Sequence, residues 1–351
     1  MLFRSVSQSR YGEFREDKVE VPTILKGMNS IETARVIVQK YRMFVNPRIV
    51  CLDAKRWDQH VNEHLLRWEH GVYLAFMNNA KDRRTLGDLL AMQIHNNVTV
   101  LADDGNIKYR KTGGRMSGDM NTSLGNCLLM TSCMHAYLRS LGIRKAEVGN
   151  NGDDTFVILE EEDVQQFTTN LHDWWSRMGI TMDLEGVVEK LTELRFCQTY
   201  VINRGDTYVM MRDFRDAISK DAVSLKPLPT KKMRAAYCYA IGKGGLALHA
   251  GIPVLQAFYE RLIELSSESG IAQKVLSKYT DYFLREEYNR QYLRVGMAAQ
   301  SKTVSWEARV DFFESTGVTP DLQVALEAQI QTMTMNLEIG MDNLPQVLRW
   351  L

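Results

Sequence analysis

The stretch Asn150-Asn151-Gly152-Asp153-Asp154 places two adjacent carboxylates at a turn between two segments of β-strand character, 145–148 and 155–159. Asn-Gly between two such segments is the strongest short sequence signal for a β-hairpin. The stretch therefore predicts a hairpin that presents Asp153 and Asp154 at its turn. On its own, a Gly-Asp-Asp triplet is more often a solvated turn, because Asn, Gly and Asp favour turns for backbone reasons.

A second acidic site lies upstream, where the short apolar run Ile49-Val50-Cys51-Leu52 ends in Asp53 and Asp58 follows. A carboxylate at the end of a buried strand is costly unless a cation neutralises it. If Asp53 lies beside the Asp153-Asp154 turn, three carboxylates gather, and hard divalent ions neutralise such a cluster. The pattern predicts two-metal phosphoryl transfer, in which one ion lowers the pKa of an attacking 3′-hydroxyl and the other holds the leaving pyrophosphate.

Between these two sites a glycine loop at 113–118 leads into an apolar helix predicted over 122–138. Thr122 and Asn126 are four residues apart and therefore share a face of that helix. A hydroxyl and an amide on one face can read a ribose, because the 2′-OH both donates and accepts a hydrogen bond and distinguishes RNA from DNA. The alternative is structural, with Ser117 as a helix N-cap, Thr122 bonded back to its own helix, and Asn126 solvated.

The three blocks, Asp-x4-Asp, Ser-Gly-x3-Thr-x3-Asn and Gly-Asp-Asp, resemble in their order motifs A, B and C of viral RNA-dependent RNA polymerases. Wider segments resemble the replicases of tombusviruses and related plus-strand RNA viruses, and they are 53–61, 115–130, 150–154 and 196–199. The resemblance extends from about residue 25 to about residue 225. It implies an α+β fold of the right-hand polymerase type, with an antiparallel palm sheet, partial fingers and a mostly helical thumb.

The resemblance also implies roles for the matching charged residues. Asp53 and Asp153 correspond to the two main metal ligands and Asp154 to a supporting carboxylate, with two Mg²⁺ or Mn²⁺ ions as cofactors. The family's general acid for the pyrophosphate is a lysine, and Lys190 is the nearest candidate. Lysine serves as an acid when its surroundings lower its pKa, whereas the neighbouring Glu189 would raise it, so a solvated surface lysine is the alternative.

Nucleotide recognition is implied for five further residues. Asp58 and Asn126 correspond to the pair that hydrogen-bonds the ribose hydroxyl, and Thr122 would support this selection of the sugar. Ser117 and Gly118 lie where the family uses a flexible loop to hold the nascent base pair, and Gly118 would supply the backbone freedom.

Two further family elements concern the growing strand and the incoming NTP. Phe196-Cys197-Gln198 resembles the motif E turn that grips the 3′ end of the growing strand, with an ordinary buried strand as the alternative. The arginine-rich fingers element has only a faint counterpart in 1–11, and the segment before Thr23 is shorter than the family's fingers. The chain is therefore expected to be a truncated or partly deleted replicase core. An upstream replicase segment or an auxiliary viral replication protein would be its partner.

Composition fits a globular enzyme. The 351 residues carry 43 basic and 43 acidic side chains, and this balance argues mildly against a general nucleic-acid binder. A local basic groove is still compatible with it, since positive charge is concentrated at 108–115, 139–145 and 226–243. Five cysteines without metal-site spacing indicate free thiols in a reducing compartment. No apolar run reaches the length of a membrane span, and no signal-peptide pattern opens the chain.

The apolar periodicity and the turn signals predict the order of the elements. Helices are expected at 33–44, 62–77 and 165–178, a hairpin at 98–102 and 107–110, paired strands at 190–203 and 207–211, and an almost wholly helical remainder after Pro229. The predicted subdomains are partial fingers at 1–46, palm with motif A at 47–72, a fingers insertion at 73–112, palm with motifs B to E at 113–223 and helical thumb at 224–351.

On this resemblance, the expected reaction is RNA-templated addition of ribonucleotides to an RNA 3′-hydroxyl during replication of a plus-strand RNA virus genome. RNA template, nascent strand and NTPs would be its partners, at membrane-associated replication sites in the host cytoplasm that it reaches through other proteins. A catalytically inactive RNA-binding or scaffold fragment of a replicase is the main alternative. A reverse transcriptase is a third hypothesis, and Asp58 with Asn126 argues against it because this pair suits a ribose.

Overall fold

The computed structural model describes residues 21–224, 227–279 and 300–334. The basic segment predicted at 1–11 lies outside the described residues. Helices and antiparallel strands both contribute, so the α+β class is confirmed. The chain divides into two compact units, Met1–Lys26 with Gln39–Glu189 and Gly27–Val38 with Lys190–Leu351. No described helix is both long enough and apolar enough to cross a membrane.

The described residues form the following elements in chain order. The helices are α1 (Ser30–Tyr41), α2 (Trp57–His60), α3 (Glu63–Ala75), α4 (Ala80–Ala91), α5 (Thr122–Ser140), α6 (Glu161–Thr169), α7 (Leu171–Arg177), α8 (Phe214–Asp221), α9 (Lys231–His249), α10 (Leu255–Glu268), α11 (Gln273–Leu276), α12 (Trp306–Thr316) and α13 (Pro320–Gln331). The strands are β1 (Pro47–Ala54), β2 (His95–Ala102), β3 (Gly105–Thr112), β4 (Ala146–Asn150), β5 (Thr155–Glu160), β6 (Met182–Val188), β7 (Arg195–Phe196), β8 (Thr199–Asn203) and β9 (Tyr208–Arg212).

The first unit is built on a four-stranded antiparallel sheet in the order β4-β5-β1-β6. β5 is buried along nearly its whole length because its run Phe156-Val157-Ile158-Leu159 is apolar on both faces. α5 packs against this sheet, and its Met130 and Tyr137 share one core with Val50 of β1 and Val157 of β5. The sheet and α5 thus form the frame that carries all three sequence blocks.

The predicted hairpin of β2 and β3 is confirmed as a separate two-stranded sheet. Ala102 pairs with Gly105, so Asp103-Asp104 forms a two-residue turn. Both strands extend further than expected, because their polar ends carry no apolar signal. The helices expected at 33–44 and 62–77 are confirmed as α1 and α3, and Asn62 caps α3 by accepting from two backbone N–H groups.

The second unit combines the three-stranded antiparallel sheet β7-β8-β9 with helices that follow it in sequence. Phe214 of α8, Phe258 of α10 and Phe312 of α12 are fully buried in its core. In the described part after Pro229 the chain is helical, as expected, and Pro320 occupies the first turn of α13, where a missing N–H costs nothing.

Two predicted elements were wrong in extent. The helix expected at 165–178 is two helices, α6 and α7, which meet at Asn170; the acidic run at 160–163 was expected to start this helix, and it does supply the first turn of α6, where acidic residues stabilise the N-terminus. The strand expected at 190–203 is interrupted: Leu191–Glu193 is a 3₁₀ turn, and β7 and β8 are separated by Cys197 and Gln198. Apolar periodicity does not reveal a turn made by residues that are unusual in turns.

Candidate active site

The Gly-Asp-Asp turn is held in place by the side chain of Asn150. Asn150 is fully buried, its Nδ2 donates to the Gly152 carbonyl at 2.9 Å and to Thr155 Oγ1 at 2.8 Å, and its Oδ1 accepts from the Gly152 N–H. Gly152 has a φ of +113°, which favours glycine. Asn150 pairs with Thr155 across the hairpin, so Asp153 and Asp154 lie in the connecting loop and are exposed, as predicted.

Strand register brings Asp53 to this turn. Leu52 of β1 pairs with Thr155 of β5, so the next residues on the two neighbouring strands are Asp53 and Asp154. On its other side Asp53 faces Asp183 of β6, and Lys55 forms an ion pair with Asp183. This ion pair, together with a smaller contribution from Asp53, raises the pKa of Lys55. The neighbouring ammonium reduces the repulsion between acidic side chains at this edge.

Asp58 is fixed from three directions. Its backbone carbonyl accepts from the Arg115 N–H at 2.7 Å, which ties the glycine loop to α2. Its Oδ2 accepts from Ser117 Oγ at 2.9 Å, and its Oδ1 accepts from Asn126 Nδ2 at 3.3 Å. The structure therefore joins Asp58 and Asn126, the two residues predicted to read a ribose, in a direct hydrogen bond.

The structure does not support the purely structural interpretation of Ser117, Thr122 and Asn126. Asn121, and not Ser117, is the residue before α5, and Ser117 donates to Asp58. Asn126 is buried and hydrogen-bonded. The Thr122 hydroxyl donates to the Met116 carbonyl at 2.7 Å. It therefore bonds to the loop before α5 and not back to its own helix. Space is open around Gly118, and its backbone freedom stays a prediction.

The Gly-Asp-Asp turn also packs on α5. A Cβ built on Gly152 would lie 3.8 Å from the Cβ of Asn126. Burial raises the pKa of the Cys127 thiol to about 11; the Lys26 charge opposes this rise and the Asp153 carboxylate adds to it. The turn is therefore adjacent to the same helical positions that contact Asp58, and the three blocks meet within the first unit.

The chemistry of this edge fits a hard divalent ion. Asp53, Asp153 and Asp154 are exposed, and their oxygens are the ligands that Mg²⁺ accepts. Among the residues described, no three His, Cys, Asp or Glu side chains are grouped closely enough to hold a metal by themselves. Mg²⁺ is usually bound through one or two carboxylates, with waters and substrate phosphates as the remaining ligands, so an open set of this kind suits it.

Comparison with known proteins agrees with this arrangement. Residues 3–338 match a family model described as viral RNA dependent RNA polymerase. The chain belongs to this family. It is 36% identical over 317 residues to the RNA-directed RNA polymerase of tobacco necrosis virus (strain A) and 37% identical over 329 residues to that of oat chlorotic stunt virus. It is also 36% identical over 318 residues to the RNA-directed RNA polymerase of melon necrotic spot virus.

The matches cover 90% of this polymerase-family chain but 42%, 42% and 38% of the three relatives. The chain thus spans about two-fifths of the length of the curated relatives it matches.

The remaining predicted site residues lie in the second unit. Phe196 is buried and pairs with Thr199, while Cys197 and Gln198 have φ values of +50° and +60°. The segment is therefore a tight turn, as the motif E resemblance implies, and not a continuous strand. Lys190 Nζ lies 2.6 Å from Glu314 Oε1, and the general-acid role of Lys190 stays a prediction.

Several residues that build the site were missed by the sequence analysis. Asp183 and Lys55 were missed because β-pairing, and not sequence distance, places Asp183 beside Asp53. Glu69 was missed although a signal was present: it is a charged residue on the apolar face of α3, between Leu66 and Tyr73. A charge at such a position indicates a buried partner.

Proposed function

We propose that this chain catalyses RNA-templated RNA synthesis by transferring a ribonucleotide from an NTP to the 3′-hydroxyl of an RNA strand. Membership of the viral RNA dependent RNA polymerase family supports this proposal. The observation that carries it is the hydrogen bond between Asp58 and Asn126, beside the edge where Asp53 and the Gly-Asp-Asp turn meet. A site for reading a hydroxyl thus adjoins a set of exposed carboxylates.

The Asp58 and Asn126 pair would recognise the 2′-hydroxyl of the incoming nucleotide. Each carboxylate oxygen of Asp58 accepts one hydrogen bond in the structure and has a further lone pair. Asn126 Nδ2 has a second hydrogen beyond the one directed at Asp58. A ribose hydroxyl would donate to the remaining lone pair of the carboxylate and accept from the second amide hydrogen, whereas a deoxyribose would leave this lone pair and this hydrogen unused.

Asp53 and Asp153 would hold two Mg²⁺ ions, with Asp154 supporting the second. Bound ions of this kind supply charge neutralisation at the triphosphate and acidify the attacking hydroxyl. The chain's own contribution is to keep the carboxylates in position: Asn150 fixes the turn, and the β1–β5 register fixes Asp53 beside it. Before substrate binds, Lys55 would reduce the repulsion between the acidic side chains at this edge.

RNA template, nascent strand and NTPs are the partners that this function requires. As the relatives are longer, we propose that an upstream replicase segment or an auxiliary viral replication protein completes the enzyme. The work would take place at membrane-associated replication sites in the host cytoplasm, reached through such partners.

A template-dependent assay tests the function. The purified chain, alone and with the upstream segment of a relative added, is supplied with primed RNA, Mg²⁺ and labelled NTPs, and extension products are measured. We expect incorporation that follows the template, and we expect Asp153→Asn to lower it by about 10³-fold or more, since an amide is a poor substitute for a charged ligand at the reacting centre.

The control variant is Asp103→Asn, which makes the same change at the exposed turn of the β2–β3 hairpin. It should leave incorporation within about twofold of the parent chain. RNA binding without any extension, in every combination, would instead identify an inactive RNA-binding fragment.

A further inference from the structure

Behind Asn126 lies a buried ion pair that the reaction does not use directly. The side chains of Arg115 and Glu69 are 1% and 0% exposed, and Arg115 Nη1 and Nη2 both donate to the Glu69 carboxylate. Burying two charges costs free energy, and the cost is offset only where the remaining hydrogen-bonding groups are also satisfied.

The Glu69 carboxylate meets that condition. Its Oε1 accepts from the Tyr73 hydroxyl at 2.7 Å and from Asn121 Nδ2 at 3.0 Å, and Asn121 Oδ1 in turn accepts from Gln93 Nε2. Burial and the Glu69 charge raise the pKa of Tyr73, so its hydroxyl remains a donor. The guanidinium of Arg115 is thereby held by a fixed carboxylate.

Arg115 Nε, which is not engaged with Glu69, donates to Asn126 Oδ1 at 2.9 Å. A guanidinium has donors and no acceptor, so the Asn126 atom that faces it must be the oxygen. The amide nitrogen of Asn126 is consequently directed at Asp58. Hydrogen-bond chemistry, and not the placement of two similar atoms, decides this orientation.

We propose that Arg115, held by Glu69, is a positioning residue that determines sugar specificity by fixing the amide orientation of Asn126. This inference rests on the proposed function of the same site. With the amide fixed, the site offers a 2′-hydroxyl one donor, from Asn126, and one acceptor, from Asp58.

The opposite amide orientation would present two oxygens to the same hydroxyl. A hydroxyl has one hydrogen and could satisfy only one of them, and the two oxygens of Asn126 and Asp58 would also repel each other. Preference for a ribose would then fall, while a deoxyribose, which bonds neither group, would lose nothing.

The packing of α5 leaves the guanidinium little room to take another position. Gly125 precedes Asn126, and a Cβ at Gly125 would collide with Glu69 Oε1 and Arg115 Nη2. The ion pair therefore lies directly against the backbone of α5, and the fixed orientation of Asn126 follows from close packing as well as from hydrogen bonds.

Two variants test the inference by the ratio of kcat/KM for an NTP to kcat/KM for the matching dNTP. Arg115→Lys keeps a charge opposite Glu69 but removes the fixed Nε–H. Arg115→Met with Glu69→Gln removes both charges and keeps an acceptor for Tyr73 and Asn121. The control is Lys40→Met with Glu147→Gln, which removes another ion pair with a buried lysine from the same unit.

We expect the NTP to dNTP ratio to fall by about tenfold or more in both Arg115 variants, with dNTP use unchanged within about threefold. The control pair should leave the ratio at the parent value. Thermal unfolding is measured on every protein. If the double variant does not fold, the result for Arg115→Lys alone tests the inference.

Equal losses for NTP and dNTP, or an unchanged ratio in folded Arg115→Lys, would mean that the ion pair is only structural and would overturn the inference. If the parent prefers NTP and the variants retain that preference, the proposed function stands and this inference alone fails. If the parent chain, assayed with the upstream segment present, incorporates neither substrate, the proposed function fails and the inference falls with it.

Discussion

Asp58 is half-buried and both of its oxygens already accept hydrogen bonds within the protein, from Ser117 and Asn126. These bonds hold the carboxylate without using all of its lone pairs. A residue that is fixed and still able to accept another hydrogen bond suits recognition of a substrate hydroxyl, because no reorganisation is needed when the substrate binds.

We therefore predict that Asp58→Ala lowers kcat/KM for NTPs by roughly 10- to 100-fold and leaves dNTP use nearly unchanged, since only the ribose loses a charged hydrogen bond. Steady-state incorporation of each substrate measures this. Asp173→Ala, at a highly exposed position of α7 in the same unit, is the control and should change neither value. Equal losses for both sugars would assign Asp58 a structural role.

Lys190 calls for a test that separates chemistry from the ion pair with Glu314. We predict that Lys190→Met lowers kcat by about 100-fold without raising KM, as expected for loss of a general acid. Glu314→Gln breaks the same ion pair but keeps the ammonium, and it should leave kcat within about threefold. The same loss in both variants would show that the contact, and not proton donation, supports activity.

The candidate metal-binding and ribose-reading residues could be proposed from the sequence because the spacing within each block is local. Asp53 and Asp58 belong to one short segment, and Asn126 follows Thr122 by one helical turn. The Arg115–Glu69 pair was not predicted because its partners are far apart in sequence, Arg115 in the loop before α5 and Glu69 on α3, and they meet only in the folded chain. Hydrophobic patterns report which face is buried and do not report which buried charges meet.

At the scale of elements, the turn between β7 and β8 is unusual for the residues that form it. A two-residue turn with positive φ at both positions normally contains Asn and Gly, because other residues pay a steric cost there. Here the residues are Cys197 and Gln198. Such strain tends to persist where the residues serve a function, and contact of this turn with the growing RNA strand stays a prediction of the motif E resemblance.

We predict that Gln198→Gly raises the free energy of unfolding by about 0.5–1 kcal/mol, since glycine adopts this φ without steric cost and Gln198 is exposed. Urea denaturation at constant m-value measures the change. Gln165→Gly, at an exposed position inside α6, is the opposite case and should lower stability by about 1 kcal/mol. A stability loss at position 198 would show that the Gln side chain makes contacts that outweigh the strain.

At the scale of the whole molecule, the α+β class followed from the family resemblance and the helical character after Pro229 from apolar periodicity. The palm-to-thumb boundary near 224 stays a prediction, and the two compact units divide between Glu189 and Lys190. β8 and β9 share a core with α8, α10 and α12, and β7 pairs with β8, so these strands belong to the helical unit. A change from strand to helix in the sequence marks a change of element, and only packing reveals which core an element joins.

The stability of this second unit should depend on His249, which is buried at the end of α9. Its ring stacks on Tyr259 with centroids 5.4 Å apart, and its Nδ1 lies 3.0 Å from the Gly245 carbonyl. Its Nε2 has no hydrogen-bond partner among the described residues. Burial, assisted by the nearby charges of Arg212 and Arg204 and opposed by Asp221 and the Gly245 carbonyl, lowers the pKa of His249 to about 4.

The direction of the pH dependence follows from that shift. An unfolded histidine takes up a proton near pH 6.5, whereas folded His249 stays neutral until the pH is near 4, so the unfolded state binds more protons between these values. The contribution is fully present above pH 6.5 and is lost as the pH falls to about 4. We predict that this single group removes about 3 kcal/mol of unfolding free energy over that range.

The measurement is urea denaturation of the parent chain and of His249→Phe between pH 7 and pH 4. Phenylalanine keeps an aromatic ring against Tyr259 and cannot take up a proton, so the variant should lose about 1 kcal/mol at pH 7 for the missing hydrogen bond and then fall less steeply than the parent. His172→Phe, at an exposed position of α7, should keep the parent slope. Identical slopes for the parent and His249→Phe would mean that His249 titrates in the folded protein as it does in the unfolded chain.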